Sequence, residues 1–177
     1  MTARNRPTAV HLGRLLAWAL AMVWLTPCTG TGVAFAQISL DSDAVLERLI
    51  HYVRWPSEAT TQKPWRLCVV GDAKATRQHF QGMSARNRKI LVVSPDDIAA
   101  ISRCHLLDLR QVDAANVQPW LDAAYGKPIL TLGSDASFCS RGGHVCYREE
   151  QRSTFGINLS LAQAAGFRIN ARLLAPE

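Results

Sequence analysis

Cys139 and Cys146 lie symmetrically about Gly142-Gly143, and this spacing constrains the fold more than any other feature of the chain. A two-residue hairpin loop needs positive φ at its centre, which glycine adopts without steric cost. Counting outward from the glycine pair sets Arg141 against His144, Ser140 against Val145 and Cys139 against Cys146. Opposed residues on antiparallel strands have Cα atoms about 4.5–5.5 Å apart, within the span of a disulfide. The expectation is a β-hairpin stapled by a Cys139–Cys146 bridge, and such bridges persist in oxidising compartments.

The N-terminus points to the same kind of compartment. Arg4, Arg6 and Arg14 precede eleven uncharged, mostly apolar residues, Leu15–Leu25, and Pro27 ends the run. Eleven residues fall well short of the roughly 20 that cross a bilayer. Ala34-Phe35-Ala36 then supplies a small-x-small cleavage pattern, so residues 1–36 read as a cleavable secretory signal. Pro27 stands where a lipoprotein signal at Cys28 would want glycine or alanine.

Removing residues 1–36 from the 177 leaves 141, read as a single domain over 37–177 with its own core. All 14 acidic residues fall there, against 17 of the 20 lysines and arginines, a net charge of about +3. That is too little to argue for nucleic acid, but compatible with an acidic partner or an anionic surface. The four cysteines of this part allow two bridges. With Cys139 joined to Cys146, Cys68 and Cys104 remain as the second pair.

Val45, Leu46, Leu49, Ile50 and Val53 recur at helical spacing over 42–54, with Ser42 as N-cap and Trp55-Pro56 as terminator. Near-continuous apolar runs at Trp65–Gly71, Lys89–Ser94, Cys104–Leu109 and Pro128–Gly133 read as strands buried on both faces. Between them the pattern predicts a helix from Asp72 to about Gly82, a short turn from Pro95-Asp96-Asp97, and a helix over Val117–Tyr125. After the hairpin come a strand at Thr154–Ile157, a helix capped by Asn158 or Ser160 and ended by Gly166, and a segment Arg168–Ala175 of either type. This alternation predicts an α/β fold with a mostly parallel central sheet, helices on both of its faces, and the stapled hairpin as a late antiparallel excursion.

Candidate chemistry is sparse. Cys104-His105 joins a thiol to a base in sequence, but neighbouring strand residues point to opposite faces, and the plainer reading is a cysteine that bridges Cys68 or stays buried. Cys139, His144 and Cys146 offer three metal ligands, with His105 or His51 as a distant fourth. The six residues between the two cysteines exceed the usual zinc spacing, and a disulfide accounts for both. Val69-Val70-Gly71-Asp72 follows a strand as a nucleotide-binding loop would, yet no Gly-x-x-Gly or Gly-Lys-Ser/Thr comes after it. Ligands of open α/β sheets bind beyond the carboxyl ends of the strands, which leaves a small-molecule effector site there as an option. Arg141-Gly142-Gly143-His144 reads as an anion holder or, more plainly, an exposed hairpin tip, and Glu149-Glu150 as a solvated loop. No Gly-x-Ser-x-Gly, His-Glu-x-x-His or carboxylate pair at catalytic spacing occurs. The expectation is a binding protein, with no catalytic residue, metal or cofactor assigned.

A combination of segments resembles a known family. It comprises Tyr52-Val53-Arg54-Trp55-Pro56, Leu67–Gly71, Cys104-His105-Leu106-Leu107, Pro128–Thr131, Phe138–Tyr147, Phe155-Gly156-Ile157-Asn158 and Ala164-Ala165-Gly166-Phe167 with Leu173-Leu174. Together they are similar to the YfiR family of periplasmic proteins across residues 42–175. The resemblance implies a regulator that binds the periplasmic sensor domain of an inner-membrane diguanylate cyclase and represses cyclic di-GMP synthesis, and with it biofilm formation. It further implies sequestration by an outer-membrane peptidoglycan-binding lipoprotein under envelope stress, a homodimer, and release of the cyclase on reduction. The family's disulfides correspond to Cys139–Cys146 and Cys68–Cys104, and its Arg-Trp-Pro element to Arg54, Trp55 and Pro56, expected with Phe155 and Ile157 at a partner-binding surface. Gly156 departs from the acidic residue often found at that place. The alternatives are a periplasmic small-molecule-binding module tuning a membrane signalling protein, and a thiol-disulfide enzyme, which the lack of Cys-x-x-Cys disfavours.

Overall fold

The computed structural model describes residues 42–56, 64–135, 137–148 and 154–174. The signal segment 1–36 and Glu149-Glu150 lie outside the described residues. The helices are α1 (Ser42–Tyr52), α2 (Lys74–His79), α3 (Gln118–Ala124) and α4 (Leu159–Ala164). The strands are β1 (Val53–Arg54), β2 (Trp65–Val69), β3 (Ser84–Ala85), β4 (Arg88–Val93), β5 (Leu106–Asp108), β6 (Leu130–Gly133), β7 (Val145–Arg148), β8 (Thr154–Ile157) and β9 (Arg168–Ile169). Short 3₁₀ turns cover Ile98–Arg103, Ala114–Asn116 and Ala171–Leu173.

Seven strands form one mixed sheet in the order β3-β4-β2-β5-β6-β7-β8, and β1 pairs with β9 in a separate two-stranded ribbon. The pairings from β4 through β7 are parallel, whereas β3–β4 and β7–β8 are antiparallel. The expected parallel sheet thus holds for the interior strands and gives way at both edges.

Strand periodicity divides the interior into two cores, because successive side chains point to opposite faces. Leu67, Val69, Leu106, Leu130, Leu132, Val145, Tyr147, Phe155 and Ile157 face α1 and α4. Cys68, Leu107 and Leu109 face the other way, onto Ile101, Val117, Leu121, Ala124 and Phe138. The apolar stripe of α1 is fully used, with Val45, Leu46 and Leu49 completely buried. A polar tie crosses from α1 to β5. Arg110 donates through Nε to Asp108 Oδ1 at 2.9 Å and through a terminal nitrogen to Asp108 Oδ2 at 2.7 Å, and it reaches Asp43 at 3.3 Å. Burial alone would lower the Arg110 pKa, but the hydrogen bonds and charges of Asp108 and Asp43 outweigh it and raise the value.

Three local expectations are corrected. α1 stops at Tyr52 rather than 54, because Val53 and Arg54 pair with Ile169 and Arg168. α2 ends at His79 rather than near Gly82, and a tight β3–β4 hairpin follows, turning through Arg86 (φ 52°) and Asn87 (φ 63°). Two successive positive φ values are what a two-residue hairpin loop demands, and asparagine tolerates them best after glycine.

The third correction concerns the glycine pair. No hairpin turns at Gly142-Gly143: residues 137–142 form successive turns, with Arg141 N–H donating to the Ser137 carbonyl at 3.0 Å and Gly143 N–H to the Phe138 carbonyl at 2.9 Å. Gly142 has φ 102°, while Gly143 keeps an ordinary φ and is small for another reason. A Cβ on Gly143 or on Gly133 would collide with the Phe138 ring, which is packed between the two glycines. The reversal of direction instead joins β7 to β8, where Cys146 stands opposite Gly156. The Cys139–Cys146 bridge does form, with Cα atoms 5.6 Å apart, and it tethers the turn to β7 rather than strand to strand. Cys68 and Cys104 are joined as well, 5.8 Å between Cα atoms, linking β2 to the chain entering β5.

Candidate partner-docking surface

The Arg54-Trp55-Pro56 element is held by its middle residue. Trp55 is buried, and its indole N–H donates to the His105 carbonyl at 2.8 Å. Its ring stands edge-on to Trp65 (5.1 Å between centroids, 89°) and to Phe167 (5.8 Å, 84°). Such edge-to-face pairs add to plain burial. The anchor fixes the chain on either side, leaving Arg54 exposed and Pro56 half-buried. Phe155 and Ile157 are core residues on β8, facing α1 and α4, so with Trp55 they are structural supports rather than surface groups. Of the five expected contact residues, Arg54 and Pro56 are the ones at the surface.

Around Arg54 the topology gathers further arginines that are remote in sequence. Arg168 is its cross-strand partner on β9, also exposed. Arg86, from the β3–β4 turn, donates to the Val53 carbonyl. Its pKa is lowered, first by partial burial and then by the positive charges of Arg54 and Arg88. Burial likewise lowers the Arg88 pKa. On the α1 side, Arg48 lies over the Tyr52 ring at 5.9 Å and donates to the Arg172 carbonyl at 3.3 Å. Arg54 and Arg88 thus act on Arg86 as like charges, which repel, and of the arginines gathered here Arg88 is buried while Arg54, Arg86 and Arg168 are exposed. Sequence reasoning missed Arg86, Arg88 and Arg168; Asn87, directly before the apolar run of β4, was the signal for the first two.

The remaining candidates resolve into structural roles. His105 is buried, stacks on Trp65 at 5.4 Å, and accepts the Arg66 main-chain N–H at Nδ1 (3.0 Å), while its neighbour Cys104 is spent in a disulfide. The disulfide likewise takes the sulfurs of the Cys139, His144, Cys146 set. The Gly71-Asp72 loop is closed to phosphate by Gln111, which accepts the Asp72 N–H at 2.8 Å and donates to the Asp72 carbonyl at 2.9 Å. Arg141 is engaged by Asp135 and the Ala114 carbonyl, not open to an anion at a hairpin tip. At the carboxyl ends of the parallel strands lies a crevice of about 250 Å³ over the Arg110–Asp108–Asp43 tie; a larger one opens at the opposite, amino end. No helix among the described residues is long and apolar enough to cross a membrane. A family model described as YfiR/HmsC-like matches residues 42–175.

Proposed function

Since the chain belongs to the YfiR/HmsC-like family, which is regulatory rather than catalytic, we propose that it is a periplasmic repressor that binds the sensor domain of an inner-membrane diguanylate cyclase. The observation that carries this reading is the arginine cluster around Arg54, held on a ribbon pinned by Trp55. A partner carrying carboxylates would relieve the repulsion there and be steered to it. The chain works as a homodimer, and an outer-membrane peptidoglycan-binding lipoprotein withdraws it from the cyclase under envelope stress. Reduction of the two disulfides loosens the repressor and has the same effect.

Two measurements test this. Deleting the gene raises cellular cyclic di-GMP, and adding it back lowers the level again. The purified domain over 37–177 binds the isolated periplasmic domain of the cyclase, and Arg54→Glu weakens that binding. Unchanged cyclic di-GMP in the deletion strain would sink the proposal.

A further inference from the structure

At one edge of the seven-stranded sheet, α2 and β4 flank a groove of about 570 Å³. β3 is only two residues long and pairs with Arg88 and Lys89 alone. The last main-chain bond on that side runs from the Ile90 N–H to the Met83 carbonyl, at 3.1 Å. Beyond it, Leu91, Val92 and Val93 pair with β2 and, among the described residues, have no strand on their other side. An unpaired strand edge is a template for an extended chain, and proteins commonly cover or charge such edges.

The described lining of this groove carries three cations. Lys74 and Arg77 come from α2 and Lys89 from β4; all three are exposed, and none is in an ion pair among the described residues. Strand alternation sorts what lies beside β4 into two faces. Ile90 and Val92 turn into the core that holds Ala73 and Phe80 at the two ends of α2, while Lys89 and Leu91 turn to the opposite face. Leu91 is 37 % exposed there, a large apolar side chain left part-open. A chain laid beside β4 thus meets Lys74 and Arg77 on one face, and Leu91 with Lys89 on the other.

We propose that this edge binds an extended acidic segment of a partner protein, added to β4 as a further strand, with carboxylates toward Lys74 and Arg77 and apolar side chains beside Leu91. Charge complementarity selects this occupant. A second copy of the chain pairing edge to edge would bring two sets of these cations together, and a lysine on an edge strand opposes that. A bilayer surface supplies anions but no main chain to complete the sheet. The proposal holds whether or not the partner is the cyclase.

The test titrates two acetylated hexapeptides into ¹⁵N-labelled protein spanning 37–177, one alternating glutamate with valine, the other glutamine with valine. The acidic peptide should shift the amides of Leu91, Val92 and Gln81 saturably. The neutral peptide should bind roughly tenfold more weakly, the scale of a few surface charge pairs, and added salt should narrow that gap. Arg77→Glu combined with Lys89→Glu alters exposed positions only. It should weaken the acidic peptide by roughly tenfold or more while the core amides stay in place. Only alternate residues of an added strand bond to the edge, so N-methylating one alternate set of the peptide should abolish binding and the other set should be tolerated. Equal affinity of the two peptides, binding unmoved by the double variant, or equal loss from both methylated sets would each overturn the proposal. So would a protein that neither peptide shifts; if it then sediments with phosphatidylglycerol vesicles and the double variant does not, the cations serve a membrane surface instead.

Discussion

Arg54 on β1 stands directly opposite Arg168 on β9, two exposed guanidinium-bearing residues in one two-stranded ribbon. A like-charge pair in this position opposes the pairing that holds the ribbon together, so its presence argues for use by a partner. Arg168→Glu is expected to leave stability unchanged or raise it by up to about 1 kcal/mol, the scale of one cross-strand pair. The same substitution should weaken binding to the cyclase domain and flatten its dependence on salt. Urea denaturation and binding measured at two ionic strengths check both halves.

Trp55→Phe separates anchoring from contact. The substitution keeps an aromatic ring beside Trp65 and Phe167 but removes the indole donor to His105, whose carbonyl still accepts the Leu130 N–H at 2.9 Å. One acceptor bond lost, with a modest packing defect, should lower stability by about 1–3 kcal/mol. The urea midpoint reads it directly.

The two bridges close loops of very different length, with sequence separations of 7 for Cys139–Cys146 and 36 for Cys68–Cys104. Loop-closure entropy then favours the longer one, about 4 kcal/mol against about 2.5 kcal/mol. Replacing both Cys68 and Cys104 by serine should therefore depress the melting temperature more than replacing Cys139 and Cys146. Cys139→Ser alone is expected to lower protein abundance and raise cyclic di-GMP output, checked by immunoblot and nucleotide quantification. Unchanged melting and unchanged repression would remove the link between bridge and signal.

His144 makes stability fall in mild acid. Burial lowers its pKa from 6.5 to about 4 in the folded protein, so below pH 6.5 the unfolded chain takes up a proton that the folded one refuses. The stabilisation is complete above pH 6.5 and is lost as pH falls towards 4, at most about 3 kcal/mol. His144→Phe should flatten that part of the stability-against-pH curve, measured by denaturation between pH 7.5 and 4. An identical slope in wild type and variant would contradict the assignment.

Much of the fold was legible because burial on both faces leaves an unmistakable pattern. The apolar runs around Cys68, Leu107 and Leu130 became β2, β5 and β6, each buried as expected. The Gly142-Gly143 pair misled because glycine answers two different needs. Positive φ suggested a hairpin, whereas at Gly143 the need was room for the Phe138 ring. The β3–β4 hairpin escaped notice since Arg86-Asn87 carries no glycine at all. The arginine surface was hidden more deeply. Arg54, Arg86 and Arg168 are brought together by topology alone, and nothing local marks them as neighbours.

The Cys68–Cys104 bridge belongs to the core beneath α3, and Cys146 shares that side of the sheet because Val145 and Tyr147 take the other. The covalent cross-links therefore reinforce one layer of a laminate, while the layer bearing α1 and the arginine ribbon coheres by packing and by non-covalent ties such as Arg110 to Asp43 and Trp55 to His105. A reductant would soften the far ply first, and any loss of grip at the ribbon would have to arrive through the strands between them.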